Sequence, residues 1–154
     1  MMTVHQKSSS PAEEPTCSIE RSLQVLGERW TFLILREIFQ GRHKFAEIRD
    51  ALGIAPNLLS ARLKTLVGAG VLRTLTYREP GSRQRESYHL TKAGADLRVV
   101  LGALQQWGDV HRARSAGPSA LRRARSTGEP VRVAFVDGAG REVAGADVLL
   151  DVRP

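Results

Sequence analysis

Three observations predict a mainly helical α+β fold. Residues 44–67 read as two short amphipathic helices separated by a glycine turn. Residues 71–90 read as two β-prone runs joined by an arginine-rich loop, and residues 91–112 carry one long apolar stripe. Helix, turn, helix and then a basic hairpin is the order of a winged helix-turn-helix. The long stripe reads as a dimerisation helix, and the residues beyond it as a small C-terminal β-hairpin appendage.

In the first helix of the pair, Ala46, Ile48, Ala51 and Leu52 give one apolar side. Gly53 supplies the turn, because glycine takes positive φ without steric cost. Pro56 suits the first turn of the next helix, where its fixed φ is helical and its missing N–H has no partner to lose. Leu59, Leu63, Leu66 and Val67 recur at i, i+4, i+7 and i+8 and share one face. At about 100° per residue, Asn57, Ala61 and Lys64 point the opposite way, with Ser60 and Thr65 at the flanks. That small, polar, cationic face fits a B-DNA major groove, which is roughly 12 Å wide. An ordinary amphipathic surface helix would carry the same pattern.

The next segment shifts the balance. Val71–Tyr77 and Glu86–Leu90 flank a tip holding Arg78, Pro80, Gly81, Ser82, Arg83 and Arg85. Three arginines on one turn repel one another in isolation. They make sense against phosphates or inside a minor groove. Double-stranded DNA is therefore the expected partner, with Arg78, Ser82, Arg83 and Arg85 on the wing.

Elsewhere the reading is coarser. Residues 1–16 are rich in Ser, Pro and Glu with little to bury, and are expected to form a disordered leader. Ser18 is the expected N-cap of a first helix whose apolar side is Ile19, Leu23 and Leu26, ending at Gly27. Trp30, Phe32, Leu33, Ile34, Leu35, Ile38 and Phe39 make the second helix apolar nearly all round, so it should be the central core element. Thr91 should cap a helix running to about Arg112. Its Leu97, Val100, Leu101, Leu104, Trp107 and Val110 exceed what one small domain needs, and a symmetric homodimer is expected to bury them. The competing reading is that the stripe covers the protomer's own core. Residues 115–130 shift to Gly, Pro, Ser and Arg and read as a linker or a short solvated helix, with a secondary phosphate-contacting role for Arg122, Arg123 and Arg125 as an alternative. Residues 131–154 show β-type alternation around Asp137-Gly138.

The totals bound the function. With 154 residues there is room for one domain and an appendage, and a net charge of +7 favours a polyanionic partner. No apolar run approaches the roughly 18 residues that span a bilayer, and residues 1–16 lack a signal pattern, so a cytoplasmic protein with no membrane association is expected. One cysteine leaves no intramolecular disulfide, and His5, His43, His89 and His111 lack metal-ligand spacing. Neither a phosphate-binding loop nor a nucleophile elbow appears. No enzyme, metal or cofactor is expected, and the residues do not disclose which small-molecule effector, if any, acts on the protein. Cys17 lies at a helix N-terminus, where the helix dipole favours a thiolate, and Arg21 one turn on pushes the same way. Redox or electrophile sensing is one reading of it, and a small packed residue is the other.

Taken together, CSIERSLQVLGERWTFLILREIFQG, KFAEIRDALGIAPNLLSARLKTLVGAGVL, RQRESYHLTKAGADL and LQQWG closely resemble the HxlR-type transcriptional regulators, winged-helix proteins of bacteria related in shape to MarR regulators. The resemblance runs over residues 17 to about 112 and defines a DNA-binding and dimerisation domain at 17–114. It implies a homodimer on a palindromic operator, formed through the N-terminal helix (Ile19, Leu23) and the long C-terminal helix (Leu97, Leu101, Leu104, Trp107). Regulation by such proteins runs in either direction, and a repressor is the preferred reading. The resemblance also places Pro56, Asn57, Ser60, Ala61 and Lys64 on the recognition helix and Arg83 and Arg85 on the wing. In some members the cysteine at the position of Cys17 senses quinones, aldehydes or oxidants. Arg62 matches a basic position of the family, but helical geometry puts it at the core edge, where a phosphate contact or an internal ion pair is expected rather than base reading.

Three departures stand out. Ala55 replaces the usual Ser or Thr N-cap of the recognition helix, a loss of about 1 kcal/mol. Ala61 replaces a common Gln, removing an amide that could reach adenine. Ser18 replaces the Pro that usually follows the cysteine. Two other functional classes remain: a winged helix serving as a protein-interaction or architectural module without operator selectivity, and a redox sensor acting through Cys17.

Overall fold

The computed structural model describes residues 15–151. Most of the leader expected at 1–16, with His5, therefore lies outside the described residues, as do residues 152–154. The chain divides into two compact units, one ending at His89 and one beginning at Leu90.

In the first unit α1 (Ser18–Leu26), α2 (Arg29–Phe39), α3 (Phe45–Leu52) and α4 (Pro56–Gly68) precede the strands β1 (Leu72–Tyr77) and β2 (Arg85–Leu90). The two strands pair as a hairpin, and its ends fall one residue inside and one outside those expected from Val71 and Glu86. As anticipated, α2 is central: Ile34 and Leu35 are fully buried, and it packs on α1, α3 and α4. Ile48 of α3, Leu59, Leu63 and Leu66 of α4 and Leu72 of β1 complete the core. Gly53 closes α3 in the left-handed conformation, φ 61°, and its N–H donates to the Arg49 carbonyl at 2.8 Å. Any other residue would be strained there.

A buried carboxylate was not foreseen. Glu37 is 4% exposed, yet its Oε1 accepts from Arg36 Nε and Nη2 at 2.8 and 2.6 Å, and its Oε2 from Arg42 Nη1 at 2.6 Å. Burying a charge is costly unless it is paired and hydrogen-bonded. Here two guanidiniums satisfy both oxygens, and Arg42 thereby ties the end of α2 to the entry of α3.

One capping expectation is corrected. Ser18 is the first helical residue of α1, and Cys17 holds the N-cap position with φ −71° and ψ 120°. The Ser18 hydroxyl accepts instead from Arg21 Nη2 at 2.9 Å. Thr91 does cap as expected, its Oγ1 accepting from Gly94 N–H at 3.1 Å.

The second unit begins with that cap. The helix expected as one piece is two, α5 (Lys92–Asp96) and α6 (Arg98–His111), meeting at Leu97. Gly94 weakens helix propensity near the start, and the turn tightens there into a bond from Leu97 N–H to the Gly94 carbonyl, 3.2 Å. β3 (Phe135–Val136) pairs antiparallel with β4 (Glu142–Val143), matching Phe135 to Val143 and Val136 to Glu142 across the predicted Asp137-Gly138 turn.

Residues 115–130, expected as a linker, are hydrogen-bonded to the chain around them. Gln105 Nε2 donates to the Ala120 carbonyl at 2.9 Å, and Arg122 Nη1 pairs with Asp109 Oδ2 at 3.3 Å. Further on, Gln106 grips Val133 twice at 3.0 Å, donating to its carbonyl and accepting from its N–H. Gly102 sits beneath: a Cβ there would stand 3.1 Å from Val133 Cγ2. Ala120, Arg122 and Val133 thus mark a strap, residues 120–133, against the 102, 105, 106 and 109 face of α6. At about 100° per residue, the opposite side carries Val100, Leu104 and Trp107.

Candidate nucleic-acid interface

Three leucines set the outward face of α4. Leu59, Leu63 and Leu66 are at most 1% exposed, so helical periodicity turns Asn57, Ser60, Ala61 and Lys64 to solvent, where all four are exposed. Pro56 occupies the first turn, and Ala55 takes the extended N-cap conformation without any side-chain bond to the orphaned N–H groups. Thr65 bonds back to the Ala61 carbonyl at 3.0 Å. Arg62 lies apart from this face. It is half-buried, with Nη1 3.8 Å from Glu28 Oε1 and a buried Nε that lacks a partner. An internal ion pair at the core edge, one of the two alternatives for Arg62, is what the geometry contains.

On the hairpin, Arg78, Arg83 and Arg85 are exposed and Ser82 is half-buried. Two bonds close the tip: Ser82 N–H to the Glu79 carbonyl and Arg78 Nε to the Ser82 carbonyl, both 3.0 Å. Arg85 begins β2 rather than belonging to the tip. Arg73 adds an exposed guanidinium on β1 that the motif reading passed over.

The wing is fastened to the entry of α3 by residues that no sequence spacing would single out. Lys44 Nζ lies 2.6 Å from Glu79 Oε1 and 5.1 Å from the centre of the Tyr77 ring. The contact raises the Lys44 pKa and holds the Glu79 carboxyl below its ordinary value. Glu47 turns back to accept from Lys44 N–H at 3.0 Å and His43 N–H at 3.1 Å, which lowers its pKa. His43 stacks on His89 with ring centres 4.4 Å apart.

Two apolar surfaces complete the inventory. On α1, Ile19 and Leu23 are 65% and 55% exposed, whereas Leu26 is buried. On α6 nothing is buried: Leu104 and Trp107 are more than half exposed, as are Val99 and Val110, and Leu101 and the junction residue Leu97 are half-covered. Cys17 is exposed. The Arg21 guanidinium donates to the Pro15 and Thr16 carbonyls at 2.7 Å and to Ser18, closing over the backbone on either side of the cysteine. Among the described residues no three His, Cys, Asp or Glu side chains gather as a metal site would need, and no helix is long and apolar enough to cross a membrane.

Comparison with known proteins gives the same outline. An uncharacterized HTH-type transcriptional regulator of Mycobacterium tuberculosis is 41% identical over 112 residues, which is 73% of this chain and 70% of that protein. The crystal structure of PA1607, a candidate transcription factor, superposes with a TM-score of 0.76 at 34% identity, covering 88% of this chain and 94% of its own. The oxidized form of the redox regulator HypR aligns with a TM-score of 0.54 at 25% identity, covering 60% of this chain and 94% of that one. The model of the HxlR-like helix-turn-helix family matches residues 25–116, so the chain belongs to that family of DNA-binding transcriptional regulators, built on the MarR-like winged helix.

Proposed function

We propose that this chain is a cytoplasmic homodimer that binds a palindromic operator and represses the adjoining genes. One observation carries the reading: the fold turns the Asn57, Ser60, Ala61 and Lys64 face of α4 outward while leaving the apolar row of α6 bare. A single winged helix reads one half-site, and twofold pairing supplies the second. In this reading Asn57 and Ser60 contact base edges and Lys64 a phosphate. Arg78, Ser82, Arg83 and Arg85 engage the flanking backbone or minor groove, and Ala61 offers a methyl contact where an amide is missing. Arg62 stays with Glu28 or swings to a phosphate. Ile19, Leu23, Leu97, Leu101, Leu104 and Trp107 form the dimer face.

Selection of bound fragments from genomic DNA, with sedimentation of the protein alone, tests this. Enrichment of one inverted-repeat sequence by a dimer is expected. Retention of fragments in proportion to their abundance would leave an architectural module.

The exposed Cys17 and the likeness to a redox regulator favour an added sensory role. Oxidant or quinone treatment should then change DNA binding in the wild type and leave Cys17→Ser unaffected. An identical response in both proteins would place sensing elsewhere.

A further inference from the structure

We infer that His43 and His89 are positioning residues for the wing: stacked, they hold the hairpin to the entry of α3, and protonation of His89 releases it. The inference rests on the DNA-binding reading only for its consequence, since the joint itself is a feature of the free protein.

The joint has a backbone part and a ring part. Lys44 and Ser87 form an isolated antiparallel bridge, and Tyr88 N–H donates to the His43 carbonyl at 2.8 Å. Those contacts attach β2 to His43 and Lys44, the two residues that lead into α3. The imidazoles of His43 and His89, from the same two segments, stack with centres 4.4 Å apart and planes 23° from parallel.

The hydrogen bonds define both tautomers. His43 Nδ1 lies 3.0 Å from the Tyr88 carbonyl, which can only accept, so Nδ1 carries the proton. Ser87 Oγ donates to the Leu75 carbonyl at 3.1 Å, so His89 Nε2, 2.9 Å from that oxygen, donates to it. Each ring therefore makes its bond with a single proton. A second proton on His89 gains no bond and places its charge against the His43 ring, 4.4 Å away between centres.

The charged surroundings offer little relief. On the α3 side stand Arg42, Lys44 and Glu47. Glu47 attracts charge on His43, but its carboxylate is already held by two backbone N–H groups. On β1 stand Arg73, whose charge opposes one on His89, and Tyr77, and at the tip Glu79 is committed to Lys44. On β2 Glu86 and Arg85 are exposed, and Tyr88 is half-buried. Burial, the His43 ring and Arg73, in that order, hold the His89 pKa below its ordinary value. A histidine lowered in this way contributes its hold fully above about pH 6.5, the unfolded value. That hold is lost as pH falls through the folded value.

The test uses the full chain and the double variant His43→Asn, His89→Gln. Asn carries an amide N–H where His carries Nδ1, and Gln one where it carries Nε2, so both bonds are kept and neither side chain titrates. Protection of the Tyr88 amide against hydrogen exchange is measured at about pH 7.5 and about pH 5.5, a span that brackets ordinary histidine titration. In the wild type, protection relative to the free amide should fall on acidification, by at most about tenfold, since pH 5.5 lies about one unit below the ordinary histidine value. The double variant should stay level. Equal pH profiles in the two proteins would overturn the inference. Should the double variant not fold, His89→Gln alone removes the titrating ring and is held to the same criterion.

Binding to a fluorescein-labelled duplex of mixed sequence is read alongside. Added positive charge by itself would tighten binding at low pH, so weakening that appears in the wild type and vanishes in the variant marks release of the wing. If Tyr88 protection falls and DNA affinity does not follow, the joint stands and the role assigned to the wing in DNA binding fails.

Discussion

The two units dispose of their apolar side chains in opposite ways. Before His89, Ile34, Leu35, Ile48, Leu59, Leu63 and Leu66 are at most 1% exposed around a central α2. After it, among the described residues, no apolar side chain is buried, and Leu104, Trp107, Phe135, Val136 and Leu149 are all more than half exposed. What holds the second unit together is polar: the double grip of Gln106 on Val133, the Gln105 bond to Ala120 and the Arg122–Asp109 pair. A net hydrogen bond contributes about 0.5–1.5 kcal/mol, whereas a large apolar side chain taken fully from water contributes about 1.5–3 kcal/mol. The first unit is stabilised from within. The second leaves its large apolar side chains exposed, and in our proposal a second copy covers them.

Mutations that strike the two regions unequally would break this contrast. Ile34→Ala or Leu63→Ala should cost about 2–5 kcal/mol, the usual loss for a fully buried aliphatic side chain. Equilibrium denaturation should show it at every protein concentration. Leu104→Glu should leave a folded protein, lower Tm only where the wild type is dimeric, and remove the concentration dependence of Tm. If Leu104→Glu unfolded the chain as Leu63→Ala does, α6 would belong to a protomer core and the contrast would collapse.

The same contrast explains what was legible from residues alone. The leucine spacing of α4 and the Gly53 turn predicted the first unit closely, because apolar periodicity is a direct record of burial. Ser18 misled because it shares cap chemistry with the position it follows, while Arg21 reached over to claim its hydroxyl. Residues 115–130 have the composition of a loop, and the glutamine that bonds to them reaches a backbone carbonyl, which leaves no trace in composition. Glu37 and the His43–His89 stack were missed for a related reason: each depends on partners brought together by the fold.

Smaller changes sharpen the division within each unit. Gln106→Ala removes both bonds to Val133 and should cost about 1–3 kcal/mol, two net hydrogen bonds' worth. Exchange should quicken over residues 120–136 with the α4 amides unchanged. Across the first unit, Lys64→Ala should weaken binding to all duplexes alike and reduce the slope of log affinity against log salt by about one. A wild-type slope would remove Lys64 from the phosphate contacts.

Ala55→Ser carries the smallest effect and the cleanest separation. Position 55 already holds the extended N-cap conformation, φ −61° and ψ 134°, so a serine hydroxyl can accept from a first-turn N–H with no backbone change. That should stabilise the fold by about 1 kcal/mol. A gain in stability with unaltered DNA affinity would mean that the helix end is needed only to start α4. A gain in both would mean that fraying of this first turn, where Asn57 sits, limits recognition, and that the alanine found here keeps the helix looser than its own core could hold it.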